Sequence, residues 1–133
     1  MIKTQKVAKT GEIRKDGKWK EFNKNAVLIA EGIYLNGVKH GTWREYYGDS
    51  GAILIEENYL KGILHGIYRA FHPNGQLYSE GEFVNGSREG YFRAYDEQGH
   101  NINNLHFINN IEIEDGNTFE PVLDERRQTR RVN

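Results

Sequence analysis

A glycine two residues ahead of an aromatic recurs at Gly17-Lys18-Trp19, Gly41-Thr42-Trp43, Gly66-Ile67-Tyr68 and Gly90-Tyr91-Phe92, at spacings of 24, 25 and 24 residues. Three residues after each of these aromatics comes another, at Phe22, Tyr46, Phe71 and Tyr95, and further on lie Tyr34, Tyr59, Phe83 and Phe107. Self-similarity at a fixed period of this length restricts the chain to a stacked array, in which neighbouring units bury what one unit cannot bury alone. The units read as 17–40, 41–65, 66–89 and 90–113, between a basic cap segment (1–16) and a C-terminal tail (114–133). Glu114 stands where a fifth unit would need its glycine, so the array stops near residue 113.

Each unit is expected to be a β-hairpin pair. Asn36-Gly37, Asn85-Gly86 and their counterparts Lys61-Gly62 and Asn109-Asn110 sit between apolar runs, and a type I′ turn needs positive φ at both central residues. At the other end of each unit stand Gly51, Gly75 and Gly99, with Ala26 in the first copy; the one-residue insertion falls in Tyr47-Gly48-Asp49-Ser50-Gly51. Strand alternation then predicts two aromatic ladders, Trp19, Trp43, Tyr68 and Phe92 in one and Tyr34, Tyr59, Phe83 and Phe107 in the other. The second aromatics break that alternation, which predicts a bulge near Glu45, Ala70 and Ala94. The fold class is all-β, an elongated, twisted antiparallel meander of tandem hairpins.

A mean hydropathy of -0.80 with 28% charged residues would suit a disordered chain, but eight Tyr, six Phe and two Trp argue for folding. There is no cysteine for a disulfide or a thiolate metal site, and no apolar run long enough for a leader or a membrane span, so a soluble cytoplasmic protein is expected. The net charge of -1 hides a partition: residues 1–24 sum to +5, residues 25–124 to -9 and residues 125–133 to +3. An acidic body repels phosphate backbones and attracts basic protein surfaces, so nucleic acid is not an expected partner.

Catalytic strings weigh little against the repeat. Gly48-Asp49-Ser50-Gly51 copies the string around a serine-protease nucleophile but occupies a turn, in a chain far too short for that fold. His40 and His65 share a repeat position, yet equivalent residues two strands apart are separated by roughly 10 Å, too far for one ion without further ligands. Glu31, Glu56 and Glu80 share another position and read as a uniform acidic stripe, whereas acid–base catalysis needs carboxylates in unlike environments. No enzyme activity, metal or cofactor is expected. Residues 117–133 read as a short helix with acidic residues at its start and Arg126, Arg127, Arg130 and Arg131 toward its end.

The pattern Gly-x-Trp-x-x-Tyr, then Asn-Gly, then a Tyr, then Asn-Gly-x-x-x-Gly, resembles the MORN repeat, and specifically the bacterial variant associated with toxin-antitoxin system antitoxins. The resemblance covers residues 17–113, with departures at Ala26, Lys61 and Glu114. It implies the meander described above and a role in protein-protein interaction; for eukaryotic members it also implies phospholipid binding at a membrane surface. The resulting expectation is a bacterial antitoxin or immunity-like protein that neutralises a basic partner. Glu45, Tyr47, Glu57 and Tyr78 are the candidate contact residues, because the ladders do not need them. The alternatives are a scaffold that self-associates through its edge strands, for instance as a homodimer, and a membrane-surface module working through the basic ends.

Overall fold

A computed structural model describes residues 3–7 and 13–114. The chain forms β1 (Lys3–Val7), β2 (Ile13–Phe22), β3 (Leu28–Leu35), β4 (Val38–Tyr46), β5 (Ile53–Leu60), β6 (Ile63–Leu64), β7 (Gly66–Phe71), β8 (Leu77–Val84), β9 (Ser87–Tyr95), β10 (Asn101–Ile108) and β11 (Ile111–Ile113). All pairings are antiparallel, and the strands lie in one open sheet in chain order, with β6 continuing the line of β7 along β5. At about 4.8 Å per strand the ten-strand path extends roughly 40 Å across a single layer. The segment read as a cap contributes β1 and the first residues of β2, and the helix expected over 117–133 lies outside the described residues.

Both turn classes form as their residues dictate. Asn36 and Gly37 have φ of 53° and 85°, Lys61 and Gly62 50° and 87°, Asn85 and Gly86 50° and 85°, and Asn109 and Asn110 48° and 68°, so all four tips are type I′. The expected bulges also occur: the register shifts between Glu45 and Tyr46, between Ala70 and Phe71, and opposite Ala94. The extra residue lies on the partner strand, at Leu54, Tyr78 and Ile102, and the same irregularity follows Glu21 in the first copy.

A second irregularity explains the glycines that define the period. Gly41-Thr42-Trp43 lies opposite the single residue Gly32, since Glu31 pairs with Arg44 and Ile33 with His40. Gly41 takes a φ of 73°, and the chain turns so that the Trp43 ring lies flat on Gly32, where an added Cβ would fall 2.2 Å from ring carbon Cδ2. Phe92 covers Gly81 in the same way, at 2.5 Å.

The two predicted ladders interleave into one line of rings, in two runs, Trp19 to Trp43 and Tyr68 to Phe107. Ring contacts run mainly between the ladders, Trp19 to Tyr34 (5.3 Å between centroids), Tyr34 to Trp43 (4.9 Å), Tyr68 to Phe83 (6.0 Å), Phe83 to Phe92 (5.5 Å) and Phe92 to Phe107 (5.5 Å), all edge-on. The cause is register: Trp19 pairs with Gly32 and Tyr34 with Gly17, so both rings share a face and lean across glycines into each other. This row is the core, with Trp19, Trp43 and Phe107 each at least 94% buried and no side chain fully buried among the described residues.

Candidate protein-interaction face

The sheet has a ring face and an opposite face that handle charge differently. On the opposite face a zipper of alternating sign crosses the strands. Lys20 lies 4.0 Å from Glu31, Arg44 Nε 2.8 Å from Glu56, and Arg69 spans Glu56 (3.6 Å) and Glu80 (3.1 Å). Glu31 also accepts a hydrogen bond from the Tyr46 hydroxyl, and burial followed by that contact pushes the Tyr46 pKa up to about 12. The uniform acidic stripe read from Glu31, Glu56 and Glu80 is therefore corrected. Lys20, Arg44, Arg69 and Arg93 recur with the same period, and cross-strand pairing interleaves them with the glutamates.

On the ring face, cations and carboxylates separate along the strand direction. Toward the type I′ tips, Lys15 Nζ sits 4.0 Å from the centre of the Trp19 ring, Lys39 Nζ 4.8 Å from Trp43 and Arg88 Cζ 4.2 Å from Phe107. Toward the other turns stand Glu21, Glu45 and Glu57. Glu21 accepts the Trp19 indole N–H at 2.9 Å. Neither Glu45 nor Glu57 has an ion-pair partner among the described residues, and Glu45 is exposed.

Glu57 takes the place that Gly32 and Gly81 hold in neighbouring units, directly opposite Trp43. A side chain there interrupts the ring row between Trp43 and Tyr68. The Tyr59 hydroxyl donates to Glu57 at 3.0 Å, and burial first, then Glu57 and Glu45, pushes the Tyr59 pKa up to about 12. The Tyr68 hydroxyl is raised by burial, then by Glu57, Tyr78 and Glu45. Three of the four candidate contact residues, Glu45, Glu57 and Tyr78, thus act electrostatically on the Tyr68 hydroxyl. Tyr78 is 48% exposed, projecting from its bulge against His72.

The fourth, Tyr47, serves the array itself. Its hydroxyl donates to the Phe71 carbonyl at 2.7 Å, one of a series of ties from each turn to the next. Asn23 reaches the Gly48 carbonyl, His72 the Tyr95 carbonyl and Asn74 the Glu97 carbonyl. The protease-like string is local turn chemistry, with Ser50 Oγ accepting the Ala52 N–H at 3.1 Å. His40 and His65 each accept a tip N–H from the following hairpin, so their shared position is explained by stacking.

Residues 64–85, from β6 to the tip at Asn85, match the family model described as MORN repeat variant. The match, with the open hairpin meander, supports a MORN repeat protein, a class suited to binding proteins or membranes. No curated protein and no solved structure matches the chain. No helix among the described residues is long and apolar enough to cross a membrane.

Proposed function

We propose that this chain is a non-catalytic protein-binding module whose ring face receives a basic protein, acting as an antitoxin or immunity-like protein in the bacterial cytoplasm. The observation that carries the reading is the contrast between the charge zipper of the opposite face and the carboxylates beside the rings. Every glutamate of the opposite face's zipper is matched by a cation, whereas Glu45 and Glu57 stand without one beside Tyr59, Tyr68 and Tyr78. Rigid tyrosines give contact area at small entropic cost, and unmatched carboxylates steer a cationic surface into register.

The test is affinity capture with the tagged chain and its Glu45→Lys/Glu57→Lys variant in parallel, at low and moderate salt. The reading expects one basic protein held stoichiometrically by the parent and released by salt or by the double substitution. Equal capture by both chains sinks it. A second reading, a self-associating scaffold, draws on the open edges at β1 and β11. A stable dimer of the purified chain in light scattering would favour that alternative.

A further inference from the structure

The face opposite the rings carries an aliphatic strip that the proposed function leaves unused. The residues flanking each type I′ tip point to it: Leu35 and Val38, Leu60 and Ile63, Ile108 and Ile111, each between 40 and 66% exposed. The third tip contributes Val84 and a serine, Ser87. Successive tips touch, since Val38 lies 3.1 Å from where a Cβ of Gly62 would stand and Ile63 3.3 Å from that of Gly86. The strip therefore runs across the strands through the first three tips, thins at Ser87, and resumes with Ile108 and Ile111 at the fourth.

Its period matches one kind of ligand. Each strand places one flanking residue about every 4.8 Å and each hairpin a pair about every 9.6 Å. The a/d seam of an α-helix offers an apolar residue about every 5 Å and repeats about every 10.5 Å. A helix laid across the strands would stay in register for about three heptads, close to the roughly 30 Å between the first and fourth tips.

Charge sets the helix's composition. On the inner margin of the strip, Glu82 and Glu89 stand directly opposite each other across β8 and β9, an unfavourable like-charge pair. Glu89 accepts the Asn109 N–H at 2.8 Å, and neither carboxylate has an ion-pair partner among the described residues. The margin at the first two hairpins is formed instead by Ile33 with His40 and by Asn58 with His65.

We infer that the strip docks an amphipathic helix from another protein, with heptad-spaced apolar residues on the strip and a Lys- or Arg-bearing flank over Glu82 and Glu89. This surface lies on the opposite side of the sheet from Glu45 and Glu57 and does not depend on the proposed function.

The probe is a synthetic 21-residue helix with Leu at a and d and Lys along one flank, titrated into the isotope-labelled full chain and followed by amide chemical shifts. Saturable changes are expected at the four tips. Ile63→Ser should weaken binding about tenfold, the scale of losing one buried aliphatic side chain. The fold already uses serine at the equivalent Ser87, so that variant should keep its structure. Glu82→Lys should weaken the Lys-flanked helix and favour a Glu-flanked one. Shifts confined to the ring face or to the edge strands would overturn the inference, as would binding indifferent to Ile63→Ser. Tip shifts that follow dilution of the chain alone would overturn it in favour of a second copy as the occupant.

Discussion

The ring nitrogen Nδ1 of His65 accepts the backbone N–H of Asn85, 20 residues on, at 3.1 Å. The same link recurs from His40 to Lys61 (3.1 Å), from Asp16 to Asn36 (3.2 Å) and from Glu89 to Asn109 (2.8 Å), so each hairpin tip is held by an acceptor one unit upstream. Backbone bonds reinforce it, with the Gly37, Gly62, Gly86 and Asn110 amides donating to the Lys15, Lys39, Leu64 and Arg88 carbonyls. Any residue able to accept will serve. His65→Ala should cost about 1 kcal/mol in urea unfolding, the usual worth of one such bond, while His65→Glu should stay near the parent. A loss of equal size in both variants would show that the acceptor is not what the position supplies.

Gly32 and Gly81 are set by the rings that cover them. Alanine at either would drive a Cβ into Trp43 or Phe92 at 2.2 to 2.5 Å, and the ring row must shift to admit it. Overpacking of this kind costs about 1–3 kcal/mol. Gly81→Ala should lower the unfolding midpoint accordingly, whereas Gly75→Ala, with nothing near its Cβ position, should show only the strain of its positive φ.

The two faces predict opposite responses to charge reversal. Glu56→Lys would crowd Arg44 and Arg69 around a third cation and should destabilise the fold by about 1 kcal/mol or more, less so in high salt. Glu45→Lys breaks no ion pair and should stay within about 0.5 kcal/mol of the parent. Thermal unfolding of the two single variants side by side measures the difference.

Alkaline pH should weaken the fold. Tyr46 and Tyr59 are raised to about 12, burial being the larger cause in both, from an ordinary value near 10. A raised pKa in the folded state means that the folded chain holds the proton more tightly. The stabilisation is full below about pH 10 and is lost as the pH climbs toward 12. Stability measured from pH 8 to 12 should fall over that window, and Tyr59→Phe should flatten part of the slope. An unchanged slope in that variant would contradict the assignment.

The turns and the period were legible because their chemistry is local. Asn85-Gly86 demands positive φ wherever it occurs, and the alternation in β8 places Gly81 and Phe83 on one face without reference to any partner strand. Register was not legible. The acidic stripe dissolved because Arg44 and Glu56 are 12 residues apart and meet only once strands are paired, although the recurrence of Lys20, Arg44, Arg69 and Arg93 was itself a signal. Interleaving of the two ladders likewise depended on strand pairing, the regular register of Trp19 with Gly32 on one side and the bulge opposite Gly32 on the other, and alternation within a single strand encodes neither. Of the candidate contact residues, Glu45, Glu57 and Tyr78 all act on the Tyr68 hydroxyl, while Tyr47 is committed to the Phe71 carbonyl by turn geometry.

The central claim is that Glu45 and Glu57 hold a basic protein, and the dissociation constant of the purified chain for the captured protein, measured across a salt series, tests it most directly. The account predicts that affinity falls steadily as salt rises. In the Glu45→Gln/Glu57→Gln variant it should be at least about tenfold weaker at low salt, with a flatter salt dependence. Affinity indifferent to both salt and the double substitution would contradict it.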